Sequence, residues 1–242
     1  MKKIILLIIL LTLSRKITSQ TASSSDDKER KFSIGIVGSP DYSYRILNSR
    51  SEYDYEVTNR NNYQAPRISY TAGISFTWQI NKRIALETGA QYSDKGYKRK
   101  DFDITIYNYG TGMFYPIDYT QEYHYGYIDI PLKANIFILT KRFKLFLSAG
   151  LAANVLVDER NLEVRLDTHG NKTYYWNTWT EPDYTKIGCT VTGCIGASYD
   201  ISKRFNIRIE PIARKSLTRL NSSDIHEYLY SYGINAGVYY RF

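Results

Sequence analysis

The sequence predicts an all-β fold, an eight-stranded antiparallel up-and-down transmembrane β-barrel. Three observations carry that prediction: eight segments alternate apolar and polar residues at period two, the connections between them alternate strictly short and long, and Tyr and Trp gather at the ends of the apolar faces. Composition agrees. Of 242 residues, 24 are Tyr and 15 are Gly against only 6 Pro. The mean hydropathy of −0.41 is low, as strands with a single apolar face require.

Before the first strand, Lys2 and Lys3 precede an apolar run from Ile4 to Leu13 and a polar stretch ending at Ser19-Gln20. This reads as a secretory signal peptide over 1–19, because a membrane-spanning helix needs about twenty apolar residues. No cysteine follows the run, so a lipid anchor on the mature N-terminus is not expected. Removing Lys2, Lys3, Arg15 and Lys16 lowers the net charge from +8 to +4, which gives no ground for expecting nucleic acid as a partner. Residues 20–31 are expected to form a disordered leader, and 32–242 a single barrel domain.

The segments follow in order. Phe32 to Ser39 is short and Gly-containing; Tyr70 to Ile80 places Tyr70, Ala72, Ile74, Phe76, Trp78 and Ile80 on one face. Ile84 to Tyr97 and Tyr125 to Leu139 alternate less sharply. Phe143 to Asp158 sets Phe143, Leu145, Leu147, Ala149, Leu151, Ala153, Val155 and Val157 against Lys144, Ser148, Gly150, Asn154 and Asp158. Lys186 to Asp200 separates as cleanly, Phe205 to Leu217 less so, and Tyr228 to Phe242 is the clearest strand of all. Helical patterns are nearly absent.

Asn81-Lys82-Arg83-Ile84, Thr140-Lys141-Arg142-Phe143 and Ser202-Lys203-Arg204-Phe205 are nearly the same sequence and read as tight turns. The stretches 40–67, 98–123, 159–183 and 218–227 read as long polar loops. Outer-membrane barrels show this asymmetry, with short turns on the periplasmic side. A soluble barrel would alternate too, but aromatic strand ends and a Gly-, Ser- and Thr-rich polar face favour lipid outside and a crowded lumen inside.

Tyr127-Ile128-Asp129-Ile130-Pro131-Leu132-Lys133 resembles the Tyr-x-x-Ile-Pro-Leu strand of the PorT-like outer-membrane β-barrel proteins, and the signal peptide, basic turns and aromatic C-terminus extend the likeness along the chain. The resemblance implies an outer-membrane location and, for some members, a part in protein secretion. It transfers no functional residue. Pro131 removes one ladder hydrogen bond, so a local kink is expected there.

Glu87, Asp129, Lys133, Arg208 and Glu210 fall on polar faces and are expected to form a charged network inside the barrel, with Asn135 and Lys144 nearby. No catalytic, cofactor-binding or metal-ligating constellation is expected. His124, His169 and His226 lie at loops or strand ends with nothing to fix a Ser-His-acid geometry. Cys189 and Cys194 sit five apart on one strand, about 16 Å and on opposite faces, too far for a disulfide.

Arg45, Arg50, Arg60, Arg67, Lys98, Arg99, Lys100, Arg160 and Arg165 lie in or near the outer loops, where lipopolysaccharide phosphates are candidate partners beside outer-membrane lipid and envelope or secretion proteins. The leading expectation is a non-enzymatic barrel that presents its loops. A narrow channel and a lipid-modifying barrel enzyme are the alternatives.

Overall fold

A computed structural model describes residues 31–108, 110, 112–166, 171–178 and 184–242. The expected signal peptide and nearly all of the expected leader lie outside the described residues, as do His169 and Trp179. The strands are β1 (Phe32–Asn48), β2 (Gln64–Ala65), β3 (Arg67–Gln79), β4 (Ile84–Asn108), β5 (Met113–Thr140), β6 (Phe143–Leu166), β7 (Lys172–Thr178), β8 (Ile187–Asp200), β9 (Phe205–Ser216) and β10 (His226–Arg241). Among the described residues a single α-helix, α1 (Asp54–Tyr63), interrupts them.

Eight strands, β1-β3-β4-β5-β6-β8-β9-β10, pair antiparallel in that order, and β10 closes on β1 from Ser33↔Arg241 to Asn48↔His226. Closure leaves the wall without an edge, so its backbone polar groups are paired as a bilayer interior demands. The wall is inside out relative to a soluble fold. Ile36, Ile195 and Leu132 are 75%, 66% and 60% exposed on the outer face, whereas Ser43, Asn135 and Glu210 are fully buried inside.

At the periplasmic end, Phe32 stacks with Phe76, Trp78 and Phe242, and Phe205 packs edge-on against Tyr240. At the other end Tyr44, Tyr230 and Tyr232 form a second aromatic cluster. Between these girdles two inner rings lie across from glycines on the next strand. Tyr239 pairs with Gly35 and Phe146 with Gly196, and a Cβ on either glycine would come within 2.5 Å and 2.2 Å of ring atoms. Glycine is there to let the ring lie flat across the wall.

Three expectations are corrected. First, much of the expected long loops is strand: β1 runs on to Asn48, and β4, β5 and β6 reach 25, 28 and 24 residues. With β7 paired to β6, their upper parts form a four-stranded sheet standing above the girdle. Polar residues on both faces there erase the period-two contrast that marks the membrane segments.

Second, α1 occupies the first loop. Asp54 and Glu56 in its first turn and Arg60 in its last suit the helix dipole, and Glu56 pairs with Arg60 one turn on at 3.6 Å.

Third, Pro131 opens the ladder toward β4, as expected, but shifts no register. Pairing with β4 passes from Thr88↔Leu132 to Gln91↔Asp129 unshifted, and Pro131 pairs with Ala152 on β6. The β5–β6 irregularities fall instead at Gly126/Tyr127 and Phe137/Leu139. Pro40 and Pro211 interrupt one neighbouring ladder in the same way, toward β10 and β8 respectively. A proline whose missing N–H faces one neighbour costs that ladder a bond without displacing the strand.

Candidate functional site: a charged lumen under a helical cap

Alternation drives every second side chain into the lumen, and the narrow barrel makes those side chains meet. Glu87 of β4, Lys133 of β5, and Arg208 and Glu210 of β9 converge in mid-barrel. Lys133 Nζ lies 2.8 Å from Glu87 and 3.4 Å from Glu210. Arg208 donates to Glu87 at 3.0 Å and lies over the Tyr239 ring at 3.9 Å. Asn135 donates to Glu87 at 3.0 Å, and Asn235 to Glu210 at 3.3 Å. Two cations and two anions make the layer neutral.

Asp129 belongs to another layer, nearer the outside, where it pairs with Lys95 at 3.1 Å and accepts from Asn154 and Ser93 at 2.6 Å each. Beside it Asp41 takes Arg214 at 2.8 Å and the hydroxyls of Ser39 and Thr71 at 2.6 Å. Lys144 lies at the periplasmic end, 3.1 Å from Asp200, which also pairs with Arg241.

Sequence reading missed Lys95 and Arg214, although both share the inward parity of Glu87 and Arg208. Asp41 lies beyond the expected end of the first segment at Ser39 and within β1 as it stands. A cavity of about 20 Å³, sized for about one water, lies between the Lys133 and Asp129 layers, and others of the same size lie at the periplasmic end beside Lys144 and Arg241 and on the outer side beside Lys95 and Arg219.

Above the layers α1 is tied to the rim. Arg60 reaches Glu227 of β10 at 2.7 Å, Arg45 donates to Asn61 at 3.0 Å, Lys100 donates to the Asn62 carbonyl at 2.6 Å, and Tyr53 to Asp224 at 3.2 Å. Burial raises the Glu227 pKa, and Arg60 and Arg45 pull against that rise. Arg45 and Arg67 are therefore committed inward: both are buried, Arg45 against Gln64 and Arg67 against Asp94. They are not on the outer surface where lipopolysaccharide phosphates were expected to find them.

At the rim, His124 Nδ1 lies 3.1 Å from Asp94 and Nε2 3.6 Å from Glu122, with Trp176 edge-on at 5.2 Å and Arg160 over that indole at 5.3 Å. Burial disfavours the imidazolium, but the carboxylates of Asp94 and Glu122 outweigh it and raise the His124 pKa. His226 Nε2 faces Arg219 at 3.2 Å, while Ser223 donates to the Ile225 carbonyl at 2.8 Å. Cys189 and Cys194 are both unbridged, and Cys194 faces Glu210 inside.

The family model of the outer membrane protein beta-barrel domain matches residues 20–242. Among solved structures, Neisserial surface protein A is 14% identical with a TM-score of 0.45, covering 87% of this chain and 97% of its own. Ail, the attachment invasion locus protein of Yersinia pestis, is 11% identical at 0.37, covering 89% and 100%. The outer membrane protease OmpT from Escherichia coli is 8% identical at 0.45, covering 92% and 99%. A search of curated proteins returned no match.

Proposed function

The chain belongs to the outer membrane protein beta-barrel domain family, and from that premise we propose that it is a non-enzymatic barrel with a closed lumen whose extracellular sheet meets envelope or secretion proteins, in the manner of PorT-like accessories. It is an integral protein of the bacterial outer membrane. The observation that carries the proposal is the lumen itself, where Lys133 and Arg208 hold Glu87 and Glu210 across the bore and Lys95 and Arg214 hold Asp129 and Asp41 in the layer beyond. A hydrated ion would have to break those pairs to pass.

The sheet above the girdle supports the other half of the reading. Strand β7 pairs with β6 alone among the described strands and exposes Tyr174, Tyr175 and Trp176. Aromatic side chains and an unpaired strand edge are features that partner proteins use. The non-enzymatic reading is supported at His226, where the nearby Ser223 hydroxyl is turned to the Ile225 carbonyl.

Conductance across planar bilayers tests the closed lumen. The folded protein is expected to insert without discrete channels. Regular openings whose size changes with Glu87→Gln or Arg208→Gln would replace this reading with that of a narrow channel.

A further inference from the structure

The three short turns share a property the proposed function does not use. Lys82-Arg83, Lys141-Arg142 and Lys203-Arg204 are all exposed, and none of the three turns contains an acidic residue. Asp200, at the end of β8, pairs with Lys144 and Arg241. The turns join β3 to β4, β5 to β6 and β8 to β9, so they stand about a quarter of the ring apart. Lys31, also exposed, stands in the remaining quarter, where β1 begins beside β10.

Their depth in the membrane is fixed by the aromatic girdle. Trp78, Phe76 and Phe32 lie beside the first turn, Phe143 pairs with Tyr199 beside the second, and Phe205 packs on Tyr240 beside the third. Aromatic side chains of this kind mark the headgroup level. Arg142 ties the two features together: its guanidinium lies over the Tyr199 ring at 5.1 Å and its Nε donates to the Asp200 carbonyl at 3.2 Å. That places a cation on the lipid-facing side of the girdle.

We propose that this basic collar binds anionic phospholipid headgroups of the periplasmic leaflet. Charge spread around the whole circumference at headgroup depth matches a ligand that surrounds the barrel. An acidic protein docking from below would be served by a patch on one side.

Trp78 reports on the lipid beside the first turn. With W176F and W179F removing the other two tryptophans, the protein is inserted into vesicles of mixed phosphatidylglycerol and phosphatidylcholine. Quenching is compared with bromine on one lipid or on the other. The expected result is association of phosphatidylglycerol about threefold or more above phosphatidylcholine, falling to parity in high salt. The K82Q/R83Q variant, which changes only the turn beside Trp78, and a variant with all six turn cations replaced by Gln are expected to lose the preference. Parity in the unaltered collar, or an unchanged preference in a K82Q/R83Q protein that still migrates as a folded barrel, overturns the proposal.

Discussion

Glu87 is bound by Lys133, Arg208 and Asn135 at once, inside a wall where no water can replace them in bulk. Glu87→Ala leaves Arg208 buried without its carboxylate, a loss of about 3–5 kcal/mol, to be read as a lower urea midpoint for the folded band. Glu87→Gln keeps the shape and part of the bonding and is expected to lose less. A different residue-level constraint sits at Gly196. Alanine there would drive its Cβ into the Phe146 ring, costing about 1–3 kcal/mol, whereas Gly193, with nothing within 4 Å of the added atom, should accept alanine with little change. At the rim, the raised pKa of His124 means that the folded state holds its proton more tightly than the unfolded chain. Its contribution is complete below the ordinary histidine range and is lost as pH rises through the raised value. Thermal unfolding across that interval should therefore fall with rising pH, and His124→Gln should flatten the dependence.

Each element shows where sequence reading succeeds and where its physical basis gives out. β10 was legible from Tyr228 onward because lipid and lumen impose opposite demands on alternate residues, and the same contrast gave the inward parity of Glu87, Lys133, Arg208 and Glu210. Which of those charges touch was not legible, since register and barrel stagger decide that Lys133 meets Glu87 while Asp129 meets Lys95. In β1 the alternation in fact continues through Asp41, Ser43 and Arg45, all buried. Pro40 lies inside this run and opens the ladder toward β10 without ending the strand. α1 has no buried residue, so it carries no apolar stripe to announce it. Its position comes from Arg60, Asn61 and Asn62 bonding to the rim. That argues for a cap rather than a structural member, and replacing 51–63 with a flexible linker should leave the barrel folded while exposing Glu227 to solvent. The measurement is heat-modifiable migration of the folded band; Arg60→Gln alone, which takes away a cation that pulls the Glu227 pKa down, should raise the Glu227 titration further.

For the whole molecule, the aromatic girdles divide the chain into two structures that share strands but not energetics. Within the membrane, stability comes from a closed ladder around a polar, ion-paired interior. Above it, the upper parts of β4 to β7 form an open sheet whose pairings, such as Asp118↔Leu166 and Leu162↔Trp176, stay within that sheet. Distant groups without shared partners contribute independently, so the upper hairpin should be removable. Lys100 and Thr120 flank the directly opposed pair Arg99↔Gln121, and joining them through Asn-Gly in place of 101–119 provides the two-residue turn that closes an antiparallel pair. The shortened protein should keep heat-modifiable migration and a urea midpoint within about 1 kcal/mol of the full chain. It should also lose whatever binding the extracellular sheet supports. A shortened chain that no longer folds would show instead that the upper sheet helps to close the barrel, and the division at the girdle would be wrong.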